Sequence, residues 1–90
     1  MIKWYTEWVM KIIVYSRNFC AWCVEVKDFL RKNNIEFEER DIAKNKEYLD
    51  EMVKKSGQQF VPTIDIDGEI LADADAKVVE KFLKQKGIIK

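Results

Sequence analysis

Asp67-Gly68 stands between two short apolar runs, Val61-Pro62-Thr63-Ile64-Asp65-Ile66 and Glu69-Ile70-Leu71-Ala72. Two-residue hairpin turns need positive φ at their central residues, which Asp tolerates and Gly adopts freely. The pair therefore fixes two neighbouring antiparallel strands near the C-terminus. Upstream, Lys11-Ile12-Ile13-Val14-Tyr15 reads as a strand ended by the polar break Ser16-Arg17-Asn18. A helix follows from about Ala21 to Asn33, with Val26, Phe29 and Leu30 at helical spacing. Residues 35–42 alternate early and predict a second strand, with Ile35 and Phe37 on one face.

A second helix over 44–55 puts Tyr48, Leu49, Met52 and Val53 on its core side and is closed by Ser56-Gly57. Its lysines, Lys44, Lys46, Lys54 and Lys55, read as a solvated face. The last helix, about 75–86, is expected to bury Val78, Val79, Phe82 and Leu83 before Gly87 stops it. The order is β-α-β-α-β-β-α. A leading βαβ unit is parallel and right-handed, so joining it to an antiparallel hairpin gives an α/β fold: a four-stranded mixed sheet flanked by three helices, with helices on both faces.

Ninety residues make one domain. Sixteen basic residues balance sixteen acidic ones, so no electrostatic case for nucleic acid exists. No apolar stretch is long enough to span a bilayer, and the N-terminus lacks the apolar centre of a signal peptide. These features predict a cytoplasmic protein. Residues 1–9 (MIKWYTEWV) are aromatic-rich and unlike the rest of the chain; they read as an extension of unassigned role, with the domain spanning 10–90.

Cys20 and Cys23 are the two cysteines of the chain, and they fall where the first strand passes into the first helix. A thiol at a helix N-terminus faces unpaired N–H groups and the positive end of the peptide dipoles, both of which favour the reactive thiolate. A second thiol one turn along can close a disulfide onto the first. The spacing thus points to dithiol–disulfide exchange. A closed zinc site within one chain is disfavoured, because histidine is absent and two thiolates fall short of four ligands. A site shared between two chains stays open.

Over residues 10–86 the chain resembles the glutaredoxin family of the thioredoxin fold. The resemblance is carried by Tyr15-Ser16-Arg17-Asn18-Phe19-Cys20-Ala21-Trp22-Cys23, Ser56-Gly57-Gln58-Gln59-Phe60-Val61-Pro62 and Asp67-Gly68. It implies that Cys20 is the attacking thiolate and Cys23 the resolving thiol. Arg17 would stabilise the thiolate and pair with a substrate carboxylate, and Trp22 would cover the mouth of the site. Gln58 would help hold the glycine end of glutathione. Val61-Pro62 would form a cis-proline segment whose backbone meets the substrate, and Asp75 would cap the last helix beside the γ-glutamyl end.

The resemblance further implies a monomer without a tightly bound cofactor or metal. It would act on protein disulfides or mixed disulfides, with glutathione or a flavoprotein reductase of the thioredoxin-reductase type supplying electrons. Two positions depart from the family pattern. Ala21 replaces the usual proline, which leaves a [2Fe–2S]-bridged dimer as the alternative. Asp73 stands where glycine is usual, and its carboxylate would repel that of glutathione.

Overall fold

The computed structural model describes residues 11–89; the expected extension at 1–9 and the domain start at residue 10 lie outside them. The elements are β1 (Ile12–Ser16), α1 (Ala21–Lys32), β2 (Glu38–Asp41), α2 (Lys46–Ser56), β3 (Thr63–Ile66), β4 (Glu69–Leu71) and α3 (Ala76–Gln85). The sheet order is β2-β1-β3-β4. β1 runs parallel to β2 and antiparallel to β3, while β3 and β4 form the hairpin. The expected thioredoxin-like fold is the one observed.

β1 is an unbroken β-branched and aromatic run because it lies inside the sheet and is buried on both faces. Ile12 and Val14 join Ile64 and Ile66 on one face, where Val26 and Leu30 of α1 and Val79 and Leu83 of α3 close over them. Ile13 and Tyr15 point the other way, onto Ile42 and onto Met52 of α2. Two helices thus cover one face and one covers the other. At a fully buried site such as Leu30, truncation to alanine costs about 2–5 kcal/mol. The hairpin closes as its turn residues require, with φ of 50° at Asp67 and 94° at Gly68.

Several expectations are corrected. Val78 is 47% exposed, not buried. At 100° per residue it lies more than a quarter turn from the Val79/Leu83 stripe, and only that stripe reaches the sheet. Phe82, at the stripe's edge, is half-buried, as are Tyr48, Leu49 and Val53 of α2, so Met52 alone of that predicted set is fully enclosed. The second strand starts at Glu38, later than the alternation of Ile35 and Phe37 predicts. Asn34 takes a left-handed φ of 59°, and the Ile35 N–H turns back to the Leu30 carbonyl (2.9 Å), closing α1. Ile35 and Phe37 still pack against the core.

Lys55 is not merely solvated. Its ammonium donates to the Tyr15 hydroxyl (2.8 Å) and to Asp65 (2.7 Å), a carboxylate buried in β3. Tyr15 in turn donates to Glu51 (2.6 Å), which Arg40 of β2 also engages. This network fastens α2 to three strands. Burial pushes the Tyr15 phenol above its ordinary value, and the hydrogen bond to Glu51 pushes the same way.

Candidate active site

The loop Arg17–Cys20 leaves the end of β1 and delivers Cys20 to the N-cap of α1, in extended backbone (φ −117°, ψ 102°). The Cys20 Sγ accepts a hydrogen bond from the Cys23 backbone N–H at 3.2 Å. The sulfur therefore occupies the position that a Ser or Asp side chain fills at other helix starts. The first turn of α1 carries no acidic residue; carboxylates enter the surroundings of Cys20 from β2, through Glu39 and Asp41. Cys20 and Cys23 are joined in a disulfide with their Cα atoms 5.2 Å apart. Cys20 is half-buried, whereas Cys23 is wholly enclosed behind it. An incoming group can reach the first sulfur and not the second. Such an arrangement can attack, form a mixed disulfide, and resolve it internally.

Cys20 lies in a cleft of about 460 Å³ shared with Arg17, Phe19, Val24, Lys27 and Glu39. Arg17 is exposed and forms no ion pair among the described residues. Lys27, by contrast, donates to Glu39 at 2.6 Å, and the buried Ser16 hydroxyl donates to the same carboxylate oxygen at 2.8 Å. The Lys27 ammonium holds the Glu39 carboxyl below its ordinary value, with Ser16 assisting against burial. This cluster ties α1 to β2 and to the end of β1, directly under the loop that carries Cys20. Sequence reasoning misses it, although Lys27 stands seven residues after Cys20, two turns along the same helix face.

Trp22 is exposed in the first turn of α1. The Val61–Pro62 peptide is cis, Pro62 is buried and Val61 half-buried. The Pro62 carbonyl accepts from the Ala74 N–H at 2.8 Å, which brings the loop before α3 beside the proline. Asp75 caps α3 by accepting from the Val78 N–H at 3.1 Å. Gln58 is turned inward: its amide donates to Ser56 (3.0 Å) and Thr63 (2.9 Å), and its carbonyl accepts from the Phe60 N–H. Those bonds use both of its donors and brace the approach to β3. Asp73 is exposed with a φ of 51°, a backbone state that favours glycine. Among the described residues no group of three or more Cys, Asp or Glu side chains is placed to hold a metal ion.

The fold and the dithiol at its helix start define a thioredoxin-fold redox protein. The glutaredoxin family model matches residues 12–71. The chain is 32% identical over 74 residues to an uncharacterized glutaredoxin-like 8.6 kDa protein of the rubredoxin operon of Clostridium pasteurianum, covering 82% of this chain and 99% of that one. It is 32% identical over 62 residues to glutaredoxin 3 of Escherichia coli K12, covering 69% and 75% respectively. Among solved structures, thioredoxin-like protein BC3987 superposes with a TM-score of 0.74 at 33% identity, over 80% of this chain and 99% of that one. The chain belongs to the glutaredoxin family, and its general activity is that of a thiol–disulfide oxidoreductase.

Proposed function

We propose that this protein reduces disulfides of other proteins, and mixed disulfides, through Cys20 and Cys23, in the cytoplasm and as a monomer. The observation that carries this reading is the pairing of an accessible sulfur, capped by a helix N–H, with a second sulfur enclosed one turn behind it. The Cys20 thiolate attacks one substrate sulfur; the substrate S–S bond breaks and the first thiol leaves, taking a proton. Cys23 then gives up its proton and attacks the Cys20 sulfur, so the mixed disulfide breaks and the second thiol leaves. The substrate gains two electrons and the dithiol loses two, ending as the Cys20–Cys23 disulfide. No histidine base is needed where the thiolate itself, favoured by the N–H groups at the helix start, is the nucleophile.

Electrons return from glutathione, the reductant that family membership supports, or from a flavoprotein reductase. In this reading Arg17 meets the substrate's carboxylate, Trp22 screens the mouth, and the Val61 backbone beside Pro62 pairs with the substrate strand. Gln58 acts by holding that strand's approach in shape, and Asp75 by capping α3.

The test is disulfide reduction by single-cysteine variants. Cys20→Ser abolishes it. Cys23→Ser still attacks and accumulates a covalent adduct with protein disulfides, visible by mass spectrometry. Full activity in Cys20→Ser would end the proposal.

A further inference from the structure

Four charged side chains share the cleft at Cys20: Arg17 from the loop, Lys27 from α1, and Glu39 and Asp41 from β2. Cys20, Val24 and Lys27 stand at i, i+4 and i+7, one face of α1, while Glu39 and Asp41 stand at i and i+2, one face of β2. Two cations meet two carboxylates, so the formal charge of the cleft is zero. Asp41 is occupied as a turn acceptor, taking the Ala43 N–H (2.8 Å) and the Lys44 N–H (3.2 Å). Glu39 is held differently. Its Oε2 accepts from both Lys27 (2.6 Å) and Ser16 (2.8 Å), and Arg31, one turn further along α1, shares a second cleft with it. The loop before α3, beside Pro62, adds Asp73 and Asp75.

The Lys27 side chain is only 16% exposed and Ser16 is buried, so this is not an ion pair of the open surface. Because Lys27 and Ser16 keep the Glu39 carboxyl below its ordinary value, Glu39 is an anion at any pH at which a thiol reacts. It stands in the cleft where Cys20 develops its own negative charge. Two anions in one cleft oppose each other unless one is neutralised. We infer that Lys27 is a positioning residue for the thiol chemistry: its ammonium, with the Ser16 hydroxyl, neutralises Glu39 and ties it to the end of β1, so that the Cys20 anion forms without opposition from Glu39. Lys27 touches no substrate; it acts through Glu39. This rests on the proposed reading of Cys20 as the attacking thiolate and adds a residue that controls it.

The test compares Lys27→Met, Glu39→Gln and the Lys27→Met/Glu39→Gln double variant, each in reduced protein carrying Cys23→Ser so that Cys20 is the one thiol present. Alkylation by iodoacetamide, an uncharged reagent, is followed from about pH 4 to 9, and the midpoint of its rise reads the Cys20 thiolate. Lys27→Met leaves the cleft one charge more negative, Glu39→Gln one charge more positive, and the double variant at zero again. Over the roughly 10 Å that seven helical residues span, one uncompensated charge moves a partly solvated thiol by about half a pH unit. Lys27→Met therefore raises the midpoint by about that much and slows alkylation about threefold below it. Glu39→Gln lowers the midpoint by a similar amount, and the double variant returns to within about twofold of the parent rate. Salt at about 1 M shrinks both single-variant shifts, because the screening length falls to about 3 Å.

All three variants lose the same ion pair, so a purely structural role moves Cys20 in one direction in all of them. That outcome, or an unchanged midpoint in Lys27→Met, overturns the inference while leaving the reductase reading intact. If Lys27→Met does not fold, Glu39→Gln decides: a midpoint at or above that of the parent overturns the inference, and a lower one that salt reverses supports it. A parent Cys20 that ionises no more readily than free cysteine, at about 8.5, overturns the reductase reading itself.

Discussion

Replacing Tyr15 by Phe separates the scaffold from the chemistry. The Tyr15 hydroxyl donates to Glu51 and accepts from Lys55, two hydrogen bonds to charged groups inside a fully buried residue. Bonds of that kind contribute about 1.5–3 kcal/mol each when their partners have no alternative. Here Glu51 keeps Arg40, Lys55 keeps Asp65, and both side chains are about one-third exposed, so water replaces part of what is lost. Phe keeps the ring under the Lys55 ammonium, 5.3 Å from its centroid. The net loss comes to about 1.5 kcal/mol, which in a domain of this size lowers the melting temperature by roughly 6–12 °C. Urea unfolding followed by circular dichroism measures it. Tyr15 faces α2, on the sheet face opposite α1 and its cysteines, so the alkylation rate of Cys20 in the reduced variant stays at the native value. A loss under about 0.5 kcal/mol, or a fall in alkylation rate on the scale of the stability loss, refutes the reasoning.

Two further outcomes come from the charges. Glu39, held by Lys27, and Glu51, held by Tyr15, both have folded carboxyls lowered from their ordinary 4.5. A lowered carboxyl stabilises the fold above its unfolded value and ceases to as pH falls through its folded value. Stability against urea should therefore be level from neutrality to about pH 5 and drop below about 4.5, and the Glu39→Gln/Glu51→Gln protein should show a shallower drop. Equal slopes would contradict the assignment. Asp73→Gly removes a left-handed non-glycine residue and a carboxylate beside the proline loop. It should gain up to about 1 kcal/mol in stability, and glutathione should reduce its oxidised form about threefold faster; slower reduction would contradict the repulsion argument.

The reach of the sequence differs from element to element, for physical reasons. Asp67-Gly68, the β-branched run of β1 and the caps at Cys20 and Asp75 are local signals, set by φ preferences and by which N–H groups a neighbour can satisfy. They are legible because no distant partner decides them. Val78 is misjudged because a valine in an amphipathic helix looks the same whether it lies on the buried stripe or beside it. The Tyr15–Glu51–Lys55–Asp65 network is invisible in the sequence because its members lie up to 50 residues apart and meet only after α2 docks on the sheet. Lys55 therefore reads as a surface cation. The inward turn of Gln58 is of the same kind, since it depends on Thr63 lying across the loop.

All of the proposed chemistry depends on the N-terminal end of α1 holding the Cys20 sulfur as an anion. The direct measurement is the pH dependence of thiolate absorbance in the reduced protein, with Cys23→Ser used to assign the transition to Cys20. The expected result is ionisation clearly below the value of free cysteine, about 8.5. Ionisation at or above that value would contradict it.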